Sequence, residues 1–472
     1  MKKFNKDKYL NKLRFKKYKR YLYIGIPCIL VLLIGIYFAY SKFSVFKEEE
    51  VVRTTVGEFI YGDVVIEAYI DGKYSNTIPG KNDGYVVKSV SCDNNATGSW
   101  NNDSWGIIVT NLTKRTKCNV YFNKVVSVSE KVTAAMNNNP SMFASDDPDN
   151  NIRYIGKDPS NYVYFNCSDY SNPTADTCEL WRIIGVFNNV TKGDGSKEDL
   201  VKIISPYPIS DSSWDGKMEG LGTSTSDYGS NDWSDSQLMM MLNPTSYLKS
   251  GYKISGDEIL DKNNNEIYGK MGSYYNGTKG CEPDGIHNYG DYCNEIDFTS
   301  TGLKNDTTRN AIEEVVWNLG GTGSYTSASN GLASHFYGYE RGTTVYTGRP
   351  TTWTGKIGLM YASDYGYATS GGTTKDRAAC LAKELSNWGS DFSDCERNDY
   401  LFTSGPGGKW TLTSSSASAD SVFRVGISGE IDDAYCAEAR MVQPALFLKS
   451  NISIKAGTGE SSNPYQLKLG ID

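Results

Sequence analysis

Chemistry in this chain has few of the usual instruments to work with. Two histidines in 472 residues leave little material for imidazole-based metal cages or proton relays. No H-E-x-x-H helix and no P-loop is present, and Gly426-Ile427-Ser428-Gly429 lacks the spacing of a nucleophile elbow. Cys436 and His335 could be drawn as a thiol nucleophile with its base, yet nothing in the sequence places them together. Glu282-Pro283-Asp284 sets carboxylates on either side of a proline, as a hard cation would want, but it reads better as a turn next to Cys281. Asp261, Asn263 and Asn265 begin like a calcium loop, then Glu266 stands where glycine is needed and Gly272 where the bidentate glutamate belongs. The expectation is no metal, no cofactor and no catalytic turnover.

Binding residues are easier to nominate. The run Ser428 to Arg440, SGEIDDAYCAEAR, changes residue type at nearly every position without strand or helix periodicity, as an exposed loop does. Its Glu430, Asp432, Asp433, Tyr435, Cys436, Glu438 and Arg440 are candidate ligand contacts, since isolated buried charges are costly and Tyr offers a large contact at low entropy cost. The alternative is a solvated tip that touches nothing. Among the tryptophans, Trp388 and Trp410 are the candidates for exposure and stacking, because Asn387, Gly389, Gly408 and Lys409 flank them. The others sit beside apolar neighbours and read as core.

Cysteines say where such a surface is held together. Apart from Cys28 they fall at 92, 118, 167, 178, 281, 293, 380, 395 and 436. No C-x-x-C spacing supports a zinc ribbon or thioredoxin chemistry. Sequence neighbours suggest the pairs Cys92/Cys118, Cys167/Cys178, Cys281/Cys293 and Cys380/Cys395 in an oxidising compartment, leaving Cys436 over. Sequence alone does not fix that connectivity.

The elements that must position these residues follow from pattern. Residues 1–20 form a basic tail, and 21–40 form an uncharged apolar run of the length of a transmembrane signal-anchor. The basic tail would stay cytoplasmic, which places the rest outside the cell as a single-pass membrane protein. A stalk at 41–60 leads to short β-rich runs in 61–125 with Gly/Asn/Asp turns, the pattern of a small antiparallel β-sandwich. Residues 126–150 read as a linker with one short helix, and 151–472 as a large α+β domain. Its expected helices are 305–321, 232–244 and 374–389. Its expected strands include NYVYFNC, ELWRIIGVF, KIGLMYA, DYLFTS, SVFRVG and ALFLKS. The first forty residues carry ten basic residues against one acid, so the rest is acidic overall, which argues against nucleic acid as a partner.

The ordered segments ELWRIIGVF, KIISPYPIS, NDWSDSQLMMMLNP, KIGLMYASDYGYA, DYLFTSG, SVFRVGISGEI and MVQPALFLK resemble the C-type-lectin-like domain of formylglycine-generating-enzyme and sulfatase-modifying-factor type found in bacterial surface proteins. The resemblance covers about 151–456 and departs from the closing V-R-P-A-L at Gln443. It implies a C-type-lectin-like large domain, and some members of the wider fold are targets of diversity-generating retroelements. The segment matching their varied region is Ser428 to Arg440. The function expected is display of a non-catalytic domain for an unknown extracellular ligand, a glycan, host protein or surface polymer. The rivals are an extracellular enzyme using Cys436 and His335, and a purely structural envelope protein.

Overall fold

The computed structural model describes residues 52–53 and 64–469, apart from 82, 217–226, 249, 257, 261–262, 265, 270, 283–293, 390–394, 396–398 and 406. The chain divides into a smaller compact unit ending at Lys124 and a larger one beginning at Val125.

In the smaller unit the strands Lys73–Ser75, Val64–Ile70, Thr116–Lys124 and Tyr85–Cys92 lie side by side in that order. A hairpin, Thr97–Asn101 with Gly106–Thr110, faces them. Ile107 and Val109 from the hairpin close a core with Ala68, Cys118, Val120 and Phe122. The layers are those of a sandwich, but not an antiparallel one. Val64–Ile70 runs parallel to Thr116–Lys124, in register from Val64 opposite Thr116 to Ile70 opposite Phe122. A parallel pair needs a long crossover, and residues 71–115 supply it.

The larger unit is mostly β with few, short helices, so the expected α+β class holds only loosely. A nine-stranded sheet runs Ile357–Leu359, Pro444–Leu448, Lys197–Ile204, Glu179–Thr191, Tyr162–Phe165, Tyr465–Lys468, Ser453–Ala456, with Phe143–Ala144 and Ile152–Tyr154 off this path. A six-stranded sheet runs Ser210–Ser212, Arg440–Val442, Lys409–Ser415, Ser421–Val425, Ile431–Tyr435, with Gly321–Thr322 beside Lys409–Ser415. The chain passes between the two sheets at neighbouring places, through Ser205–Ile209 and through Gln443. Backbone bonds from Ser205 to Pro444 and from Ile209 to Val442 close the two passages on each other.

Several expected elements are corrected. The expected helix at 305–321 is a short one, Asp306–Asn310, capped by Asn305, whose side chain accepts from the Thr308 amide. Val315–Asn318 beyond it is a strand paired with Thr352–Gly355. Val315 and Trp317 are buried while Val316 and Asn318 are half-buried, so the β-branched, aromatic run follows a period of two rather than 3.6. The expected helix at 374–389 shrinks to Arg377–Leu381 and a 3-10 turn at Leu385–Asn387. DYLFTS forms no strand, because the Asp399 side chain takes the Leu401 amide and turns the chain. The helix of the expected linker, Val128–Asn138, closes with a Ser127/Glu130 capping box, and Val128 and Val132 enter the main core. That segment belongs to the larger unit.

The single-pass topology is also corrected. Among the described residues no helix is long and apolar enough to cross a membrane, and the longest, Val128–Asn138, has 11 residues. Nothing in the described fold supports a transmembrane helix, a membrane partner or a C-terminal domain held outside by one, and that localisation is withdrawn. The expected tail, span and most of the stalk, 1–51 and 54–60, lie outside the described residues.

Between the nine-stranded sheet and the helices sits a buried ion network. Arg153 meets Asp147 at 2.6 Å and Asp364 at 2.7 Å, and Lys202 meets the other oxygen of Asp364 at 2.6 Å. Burial alone would push the Asp364 carboxyl up, but Lys202 and Arg153 outweigh it and hold it well below the usual carboxylate range. Removing one member would strand a charge in the interior, a loss of roughly 3–5 kcal/mol.

Candidate functional site

The expected binding loop is an edge strand. Ile431–Tyr435 pairs antiparallel with Ser421–Val425 and ends the six-stranded sheet. Aspartate disfavours strands, and side-chain pairs across the hairpin override that preference here. Arg424 stands opposite Asp432 and grips it with two bonds, Nε to Oδ1 at 2.7 Å and Nη2 to Oδ2 at 2.9 Å. That bond holds the Arg424 guanidinium above its ordinary value. Asp433 accepts from the Tyr325 hydroxyl at 2.6 Å, and Tyr325 packs edge-on against Phe423. Burial, and then the Asp433 bond, push the Tyr325 hydroxyl up.

Tyr435 points outward and stacks on Tyr228, ring centroids 4.4 Å apart and 29° between planes. Both remain in solvent, Tyr228 at 53 % and Tyr435 at 44 % exposure. The backbone fixes this pair: the Ala437 amide donates to the Tyr228 carbonyl. Gly229 follows at φ +84, where a Cβ would lie 2.3 Å from the Asp215 carbonyl oxygen and 2.8 Å from Cβ of Cys436. Only glycine fits that seam. Cys436 therefore spaces the strand end against the Tyr228 segment. It is wholly buried, and burial, then the Asp215 and Asp420 carboxylates, push its thiol well up.

The remaining candidates scatter. Glu438 and Arg440 pair with each other at the partly exposed end of the segment, and Glu430 is half-buried at the hairpin turn, close to Gly389 and Gly426. Trp388 and Trp410 are corrected: both are wholly buried. Trp388 packs on Tyr365, and Trp410 donates its indole N–H to the Ser212 carbonyl at 2.9 Å. His335 lies on the helix Ala333–Glu340, its Nδ1 accepting from the Leu332 amide. His335 sits beside Leu332 and Tyr339, whereas Cys436 sits beside Gly229 and the Asp215 and Asp420 carboxylates, so the two do not share a setting among the described residues. Tyr228 and Tyr325 were missed from the sequence.

Bridges join Cys92 to Cys118, Cys167 to Cys178 and Cys380 to Cys395. Cys281 is also disulfide-bonded, and Cys293 lies outside the described residues, as do Pro283 and Asp284. Among the described residues no group of three or more His, Cys, Asp or Glu side chains is gathered for a metal ion. No family model matches the chain, and no curated protein or solved structure is similar to it.

Proposed function

We propose that the larger unit is a non-catalytic ligand-binding domain of C-type-lectin-like type that docks a glycan chain on the tyrosine-bearing edge of its six-stranded sheet. The observation that carries this reading is the Tyr228–Tyr435 stack. Tyrosine rings combine a broad apolar face with a polar tip and suit contact surfaces that stay wet. Here the pair is held by Gly229 and the strand end instead of being folded into the core. Asp433 and Glu438 flank Tyr435 with carboxylates that accept from hydroxyls. A thiol enzyme would need Cys436 open beside His335, and its burial disfavours that route.

Full-length protein is applied to a printed glycan array beside the variant Tyr228→Ser/Tyr435→Ser. Exposed substitutions cost little stability, within about 0.5 kcal/mol each, so the melting temperature should hold while the glycan signal disappears. Undiminished binding by the folded variant, or no glycan bound by the wild type, would sink the reading.

A further inference from the structure

A cavity of about 170 Å³ opens elsewhere in the larger unit, lined by residues that the tyrosine face does not use. We infer that it is a second binding site, for a neutral polyhydroxylated ring the size of one monosaccharide. A cavity of about 150 Å³ takes a six-membered ring such as benzene, so this one has room for a single ring. The floor is aromatic, with Phe187, Trp317, Tyr361 and Phe447 around the Lys202 ammonium, which lies 4.5 Å from the Tyr361 ring and 5.2 Å from Trp317. An ammonium has three donors, and Asp364 takes one of them at 2.6 Å. The aromatic setting leaves a hydroxyl oxygen as a natural acceptor for another.

The mouth is polar and under-used. Asn188 spends its amide nitrogen on the Asp149 and Asn150 carbonyls, 3.0 Å each, which leaves its Oδ1 as an acceptor. Asn189, Asn318 and Thr191 line the same cavity, and their side chains make no hydrogen bond among the described residues. Carboxamides and a hydroxyl offer donors and acceptors together, as vicinal hydroxyls require, while the ring faces below suit C–H groups.

Charge selects among polar ligands. Lys202 is matched by Asp364. Arg341, stacked on Tyr337 at 3.4 Å, is matched by Asp149 at 3.7 Å and Glu340 at 3.5 Å. Among the described lining residues no cation is left over for an anion, so a neutral ring fits better than a uronate or an amino acid.

The test is calorimetric titration of the full chain with glucose, galactose, mannose and N-acetylglucosamine, with glucuronate and glycine as charged controls. At least one neutral sugar should saturate a single site. The variant Thr191→Val/Asn318→Ala should weaken it tenfold or more with an unchanged melting temperature, and Asn318→Asp, a smaller change, serves if the pair fails to fold. The Tyr228→Ser/Tyr435→Ser variant should bind that sugar as the wild type does, which separates this site from the tyrosine face. No binding by any neutral sugar, binding of the charged controls alone, or full retention in a folded cavity variant would overturn the proposal.

Discussion

Lys409 shows how one residue's surroundings set both a neighbour's identity and a pH response. It opens the strand Lys409–Ser415 in full burial, and its ammonium donates to the Leu401 carbonyl and to Gln443 Oε1, the latter at 2.7 Å. Gln443 passes its own amide N–H to the Ser205 carbonyl, so one carboxamide accepts on one side and donates on the other across the passages between the sheets. An arginine there would set a second cation against the first, which gives the departure from the V-R-P-A-L pattern a physical reason. Burial pushes Lys409 down to about 7, against the pull of Asp399, while an unfolded lysine sits near about 10.4. Between those values the unfolded chain holds the extra proton, so stability rises with pH there, by up to about 1.4 kcal/mol per unit. Below about 7 the penalty is full and flat. Cys436 opposes the trend only above about 8.5, where its unfolded thiol ionises first. The urea midpoint should therefore climb from pH 7 to 8.5 in the wild type and stay level in Lys409→Met. A level wild-type profile would show that Lys409 is not held this way. Flanking residue types are a poor guide to exposure in this chain: Gly and Asn beside Trp388 and Trp410 mark tight turns around buried rings.

Elements were legible where an apolar run was continuous and strand-length, as in Glu179–Thr191, Lys197–Ile204 and Pro444–Leu448. They were not legible where a partner strand imposes the conformation. Ile431–Tyr435 carries two aspartates and no clean alternation, and it is extended because Arg424 and Tyr325 hold those aspartates from neighbouring elements. The same dependence explains Val315–Asn318, whose helix-like spacing yields to pairing with Thr352–Gly355. The edge strand thus rests on side chains that can be removed singly. Arg424→Ala should cost the whole protein no more than about 1 kcal/mol, since the pair is partly exposed. Amide exchange should nevertheless accelerate in Ile431–Tyr435 and remain slow in Lys409–Ser415, following the local openings that edge elements undergo. Equal acceleration in both strands would mean that the sheet opens as one piece and that the cross-strand pair has no separate role.

At the scale of the whole molecule, each unit closes its own hydrophobic core, and the bridges in both fit an oxidising compartment. The smaller unit depends on its staple more than the larger. Its core is a handful of side chains, and a unit of its length carries a net stability of roughly 3–9 kcal/mol. Cys92 stands opposite Cys118 in the register of two neighbouring strands, and their separation of 26 residues corresponds to about 3.5 kcal/mol in the chain-entropy account. Losing that contribution would remove a large share of the stability available. Cys436, wholly buried in the larger unit, supplies a reporter for the other core, because a thiol reagent reaches it only when that unit opens. In Cys92→Ser/Cys118→Ser the smaller unit should melt well below the larger, seen as early loss of amide protection in Val64–Ile70 and Thr116–Lys124. Labelling of the peptide that carries Cys436 should proceed at the wild-type rate. If that labelling accelerates together with the loss of protection, the two cores do not hold their stability separately, and the boundary at Lys124 does not divide the molecule energetically.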